Sequence, residues 1–518
     1  MRGLAEFFLY LFLLWGTIVL VFGVKSLSLD CPLLLFIAML GVGVSLALIG
    51  KRWGRGMLLL AIPLSILLAY LSAERLWPPV GAEESWAQVY RLTPELHGYT
   101  PTTHSEQNTQ DFADDAPLEA LAFTTQTQTL PVPHPDTGAT TEIEVRALAG
   151  VDLLPVACGL QGIGDMVFAA DSNAGMVFAS LPDAGLIYSL EQQHSLSENS
   201  NAAAASTNLW RKRILTPSID RPMGLAWQAG YLYVATRTAV LKLGIPTTSA
   251  TPTTVETIVD GLPPATATEH RALSLDAEGN IYLSIGAGDA QPQELEWQRA
   301  AVLLITKAGE VELYATGLHH ARALGHHPQT GELWVVDSAP DTLELHPPAD
   351  EINVLKRGED YGWPFCYEYR VPDRHLGTKT ICSATAVPRA LLPPHSVPAG
   401  FAFGTNLNAP QRYRSMLYVA LKGRVHDLQR RGFRIIGLPL DEKGNLSGWG
   451  VDVVSGLATA AKIYAQPAAL VVAPDGYLYV ADAHSGMVYR FLFPFDIDLK
   501  HNSPVQNPLA AMQGNRKG

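Results

Sequence analysis

Charge is scarce in this sequence. Charged residues make up 17% of the 518, against about 25% in typical soluble proteins. Acidic residues outnumber basic ones, 49 to 37, for a net charge of −12. Neutralising phosphates needs clustered Lys and Arg, so this balance argues against a nucleic-acid partner. Cysteine is nearly absent, with four in the whole chain. No long segment of 3.6-residue period follows residue 90, which sets aside an α/β architecture. A hydrophobic content of 47% sets aside a wholly disordered chain.

Part of the charge deficit is concentrated at the start. Residues 5–24 carry only Glu6, and residues 31–50 and 57–73 carry no charge. Roughly 20 apolar residues cross a bilayer core, so three transmembrane helices are expected within an anchor over 1–79. A cleaved signal peptide is the weaker reading, because two further apolar runs follow the first. The loop KRWGRG places Lys51, Arg52 and Arg55 between the second and third runs, whereas the preceding loop has only Lys25. The positive-inside rule then puts residues 51–56 in the cytoplasm and the chain after about residue 74 outside. The expected location is the inner membrane, with the bulk of the protein on the periplasmic side. Residues 80–145 read as a disordered linker, since 99–142 are rich in Thr, Gln, Pro and Asp. Residues 496–518 read as a polar tail.

An oxidising compartment allows Cys366 and Cys382, 16 residues apart, to bridge. Two reduced thiols are the alternative. Cys158 reads as a small buried hydrophobe.

The remaining 350 residues repeat. An apolar–aromatic–apolar strand recurs as MVFAS (176–180), YLYVA (231–235), IYLSI (281–285), LWVVD (333–337), LYVAL (417–421) and LYVAD (478–482). Turn signals precede three of them: DAEGN, PQTGE and PDG. A unit of this size is a four-stranded propeller blade. The fold expected is all-β: a six-bladed β-propeller over 146–495, preceded by the three transmembrane helices and the linker. A pair of sandwiches does not explain six copies of one element. The wider spacing between Trp334 and Tyr418 marks an insertion that holds Cys366 and Cys382.

Several ordered segments resemble the glucose/sorbosone dehydrogenase family. They are RPMGLAWQAGYLYVA (221–235), GLPPATATEHRALSLDAEGNIYLSIGAGD (261–289), DEIN (350–353), YGWPFC (361–366), HSVPAGFAF (395–403), YRSMLYVALKG (413–423) and PAALVVAPDGYLYVADAHSGMVYRF (467–491). The resemblance implies a propeller enzyme that uses pyrroloquinoline quinone (PQQ) and calcium to oxidise a sugar or other alcohol. It implies that His270 is the general base, taking a hydroxyl proton as hydride passes to PQQ; imidazole suits that role. It implies that Asp350, Glu351 and Tyr361 bind a bracing calcium, and that Lys422 pairs with the acidic cofactor. Electrons would pass to a quinone or cytochrome.

The sequence also departs from that pattern. Where the family reads G-L-R-N, this chain has Gly317-Leu318-His319-His320. His319 and His320 are expected to face the quinone, with fewer donors and no permanent charge. The turn whose carbonyls hold the cofactor's calcium in the family is here Ala339-Pro340-Asp341. No clear counterpart of the family's late paired arginines is evident. These departures keep two alternatives open. One is a non-catalytic propeller that binds a carbohydrate or protein. The other is a calcium-dependent lactonase, for which no central carboxylate/Asn ring is found. His319/His320 and His326/His327 are expected at opposite ends of one strand, which argues against a four-histidine metal site.

Overall fold

The computed structural model describes residues 125–494, apart from 134–139, 171–174, 192–209, 217, 247–251, 289–295, 341–346, 428 and 449. The three apolar runs, the first part of the linker, the polar tail and Asp341 lie outside the described residues. Six antiparallel sheets form the blades of a propeller. The innermost strands are Asp165–Phe168, Leu225–Gln228, Leu273–Leu275, Ala321–His326, Pro398–Phe403 and Pro467–Val472. Each packs against the innermost strand of the next blade, and the sixth returns to the first.

All six aromatic segments are second strands of blades: Val177–Leu181, Tyr231–Ala235, Ile281–Ile285, Leu333–Asp337, Met416–Leu421 and Leu478–Asp482. A second strand is paired on both edges and covered on both faces, so it reads as a near-continuous apolar run. The turn signals join first to second strands. Gly279 and Gly476 adopt φ of 88° and 79° there, a conformation that favours glycine. One apolar cluster fills each junction between blades.

Blade six takes its outer strand, Asp152–Ala157, from the start of the ring, pairing it with Val488–Leu492. The stretch read as linker needs correcting at its end. Thr125–Pro133 and Thr140–Leu148 pair as a hairpin, and the second strand adds to Val451–Ser455 at the outer edge of blade five. Leu130, Val132, Ile143 and Val145 are buried in the cluster between blades five and six. The Gln126 and Gln128 side chains bond the backbone at Val151 and Leu153. Its Thr-rich composition hid a half-buried ribbon, in which β-branched Thr is at home.

The insertion leaves blade four after Asp350–Leu355 and returns at Ala390–Leu392. Cys366 and Cys382 are bridged within it, with Cα atoms 5.7 Å apart. Cys158 is exposed, not buried. It follows directly on the outer strand of blade six, between the buried Ala157 and Leu160.

Candidate active site at one end of the ring

Antiparallel pairing brings the start of each innermost strand and the end of each second strand to the same end of the propeller. His270, His319, Arg322, Ala339, Lys422 and Arg424 all lie there, drawn from blades three, four and five. A recurring device stiffens these loops. Near its end the second strand carries a polar side chain that accepts N–H groups from the start of the innermost strand or from the loop just ahead of it. Ser180 Oγ accepts from Asp165 N at 3.0 Å, and Ser284 Oγ from Ala272 N at 2.7 Å. Asp482 Oδ1 accepts from Gln466 N at 2.7 Å. In blade four, Asp337 accepts both the His319 N–H at 3.0 Å and the His320 N–H at 2.6 Å. Burial, and then the neighbouring Glu351, push the Asp337 carboxyl well above its ordinary range.

His270 sits just ahead of the innermost strand of blade three, half-buried. Burial first, and then the cations Arg322, Lys422 and Arg221, push its imidazole down to about 3. It is therefore neutral at physiological pH, with a lone pair to accept a proton. Lys422 is lowered to about 8 by burial and by Arg322. Arg322 reaches Ser338 Oγ with Nε at 3.1 Å.

The two histidines that replace the expected Arg-Asn pair do not act alike, and neither behaves as expected. His320 is buried, and its Nε2 accepts the backbone N–H of His270 at 2.9 Å. Arg322 Nη2 lies 3.3 Å from its Nδ1. A ring that accepts an amide N–H at Nε2 cannot be imidazolium, and this one is spent on holding two blades together rather than facing a ligand. His319 keeps a half-exposed position with its ring centroid 5.3 Å from that of Trp363. Its Nδ1 lies 2.8 Å from the Ser338 carbonyl, so Nδ1 carries the proton and Nε2 can only accept. Burial pushes His319 down to about 4. His319 is thus an acceptor toward any ligand, not the donor that the sequence suggested.

Asp350, Glu351 and Tyr361 are not brought together as a metal site. Asp350 is buried, and its two oxygens accept from Ala339 N at 2.8 Å, Ser396 Oγ at 2.9 Å and Val397 N at 2.8 Å. The adjacent Glu351 projects to the other face of the strand, where it accepts from Glu368 N at 2.7 Å and Asn353 Nδ2 at 3.0 Å. The Tyr361 hydroxyl donates to the Val354 carbonyl at 2.6 Å, near the far end of the same strand. Its ring packs in the core between blades three and four. Strand alternation separates the two carboxylates, and backbone and side-chain donors already engage them. Among the described residues no group of three or more His, Cys, Asp or Glu side chains could hold a metal ion. These residues do not fit a calcium ion.

Arg322 and Arg424 are the site residues that the sequence did not disclose. Arg424 Nη2 donates to the Ala339 carbonyl at 3.2 Å. The two arginines are 102 positions apart, from 424 − 322, and each stands alone in its segment. The available signal was the arginine one position into the innermost strand of blade four, where an apolar residue would be routine. With Lys422 they make this end of an acidic protein locally cationic, and the nearby carboxylates of Asp337 and Asp350 are turned inward onto N–H groups. A small ligand bearing several carboxylates fits such a donor set, and PQQ, with three, is one.

His326 and His327 lie at the opposite end of the innermost strand from His319 and His320, as expected. His326 Nδ1 is 3.1 Å from Ser274 Oγ.

Residues 228–490, just over half of the chain, match the family model described as Glucose / Sorbosone dehydrogenase. The aldose sugar dehydrogenase YliI of Escherichia coli (strain K12) is 23% identical over 244 residues, covering 42% of this chain and 58% of that protein. The match thus spans less than two thirds of that relative's length. The calcium structure of Trichoderma reesei carbohydrate-active enzymes family AA12 is similar with a TM-score of 0.56 at 17% identity, over 67% of this chain and 96% of that one. The holo form of the pyranose dehydrogenase PQQ domain from Coprinopsis cinerea gives 0.53 at 16% identity, over the same shares of 67% and 96%. At such identities the structural likeness shows the propeller fold. Together with the family match it settles the classification: this chain belongs to the glucose/sorbosone dehydrogenase family.

Proposed function

We propose that this protein is a PQQ-dependent oxidoreductase that oxidises a sugar or a related alcohol or aldehyde. The observation that carries this reading is the gathering of His270, His319, Arg322, Lys422 and Arg424 from three neighbouring blades at one end of the ring. The family match supports it, as do the names of the relatives, which include a sugar dehydrogenase and a PQQ domain. Arg322, Lys422 and Arg424 would hold the carboxylates of PQQ, which supplies a two-electron acceptor when bound. His270 would take the hydroxyl proton of the substrate. His319 and Trp363 would form one wall of the site, with His319 Nε2 accepting a substrate hydroxyl. The proton bound for His270 enters a pocket with fixed positive charge around it, so an anionic ligand is needed to make the ring a competent base.

The three apolar runs and the basic loop at 51–56 support an inner-membrane anchor with the propeller on the periplasmic side. Electrons would then leave for a membrane quinone or a cytochrome. The test is direct. Full-length protein is loaded with PQQ, and dye-linked oxidation is followed over a panel of sugars and alcohols. Turnover with PQQ and none without it is expected. Failure to bind PQQ at micromolar concentration would sink the proposal.

A further inference from the structure

Three consecutive residues tie the proposed base to three blades. His270 N–H donates to His320 Nε2 of blade four at 2.9 Å. The residues on either side of it, Glu269 and Arg271, are both buried. Glutamate and arginine are almost never buried unless paired, and each of these two is spent on its surroundings. Glu269 Oε1 accepts from Gly286 N at 2.9 Å, where the second strand of blade three has just ended. Its Oε2 accepts from Thr266 N at 3.2 Å and lies 3.5 Å from Arg299 Nη1. Arg299 Nη2 donates in turn to the Pro264 carbonyl at 2.9 Å. Gly286 admits this close approach, since a Cβ there would stand 3.0 Å from Glu269 Cγ. Arg271 reaches the other way. Its Nη2 donates to the Pro263 carbonyl, and its Nη1 to the Thr236 carbonyl, just past the second strand of blade two, at 3.4 Å. Burial raises the Glu269 carboxyl, and the charge of Arg271 is the chief influence drawing it back.

We infer that Glu269 and Arg271 are positioning residues, clamping the backbone on both sides of His270 so that its ring meets the substrate in one place. This role rests on the reading of His270 as the base. A backbone held by His320 alone would pivot about that single bond. Glu269 fixes the preceding residue to blade three, and Arg271 fixes the following one to blade two and to the loop at Pro263. Buried charges make a stiff clamp, because moving one leaves its partners unpaired in a medium that penalises them.

The test compares Glu269→Ala and Glu269→Gln with the wild type, in full-length protein. Glutamine keeps an acceptor for the Gly286 N–H but sets its amide N–H groups against the Thr266 N–H and the Arg299 guanidinium. The kcat for sugar oxidation, per bound PQQ, should fall about tenfold or more in Glu269→Ala and by less in Glu269→Gln, with KM and PQQ affinity held within about threefold. A second readout needs no cofactor. In protein carrying isotope-labelled histidine, the ring signal of His270 is the one lost in His270→Ala, and it should shift or broaden in Glu269→Ala. Should Glu269→Ala fail to fold, Gly286→Ala displaces the same carboxylate without removing a donor, and should move kcat and the His270 signal in the same direction. A wild-type kcat in the folded variants, with loss confined to the melting temperature, would overturn the inference. So would an unmoved His270 signal. A moved signal in protein that binds no PQQ leaves the clamp standing and removes the PQQ reading instead.

Discussion

The backbone N–H of His270 donates to Nε2 of His320 across the junction between blades three and four, at 2.9 Å. The loop that carries the proposed base is therefore fixed by a side chain of the neighbouring blade. His320 acts on chemistry through His270, as a positioning residue. His320→Ala should lower kcat by about tenfold or more, because an ångström-scale misplacement of a catalytic group is costly. PQQ affinity should change little. His320→Gln, which offers an amide oxygen to the same N–H, should recover much of the loss. Equal damage from Ala and Gln would show that His320 matters only as packing.

His270→Ala should abolish sugar oxidation and leave PQQ binding intact. Rate and binding are read on one preparation, by dye reduction and by fluorescence quenching. Retained turnover refutes the base assignment.

Lys422 supplies a pH dependence whose sign follows from its lowered value of about 8. A ligand carboxylate favours the charged lysine. Affinity for PQQ should hold below about pH 8 and fall above it, by up to about tenfold per pH unit. The slope should vanish in Lys422→Met, which also binds more weakly at pH 7. A wild-type affinity flat from pH 7 to 9.5 contradicts a contact between Lys422 and the ligand.

Asp337 tests the stiffening of the loops. It accepts the N–H groups of both His319 and His320. Asp337→Ala leaves two N–H groups without their acceptor at a buried position, at a cost of about 1–3 kcal/mol for each group left unsatisfied. Denaturant unfolding should register that loss. A variant as stable as the wild type would mean that water replaces the carboxylate.

The disulfide closes a short loop, 16 residues long, within the insertion of blade four. Cys366→Ser with Cys382→Ser should cost about 3 kcal/mol at most, from loop entropy. Limited proteolysis should show cleavage inside 361–392 before the ring itself is cut. Cleavage spread evenly over the blades would show that the insertion braces the propeller.

How much of this was legible beforehand depended on where a strand sits. Second strands such as Val177–Leu181 and Leu333–Asp337 are buried at every position, so burial writes a continuous apolar signal into the sequence. Outer strands carry no such signal. Arg211–Ile214 is exposed at all four positions, and the Thr/Gln ribbon at 125–148 looked like linker for the same reason. The site divides in a similar way. His270 stood in a recognisable segment beside its strand. The joint use of Arg322 and Arg424 could not be read, because it depends on how the loop after the second strand of blade five packs against neighbouring blade four. Nor could the fates of His319 and His320 be separated, since each is decided by which carbonyl or amide meets the ring. The metal reading of Asp350 and Glu351 failed on strand alternation.

Asp152–Ala157 must wait for Val488–Leu492 to complete blade six. Asp152 and its partner Leu492 are 340 positions apart, from 492 − 152. At about 5–20 residues per second of synthesis, that wait is on the order of tens of seconds. Throughout it the strand offers unpaired amides to any neighbouring chain, a known route to aggregation. Pro155 lies within it and has no N–H to offer, which makes the strand a poorer template for the wrong partner. A ribosome that stalls before residue 488 would release an open ring with one blade unlatched, and such products are natural targets for quality-control proteases.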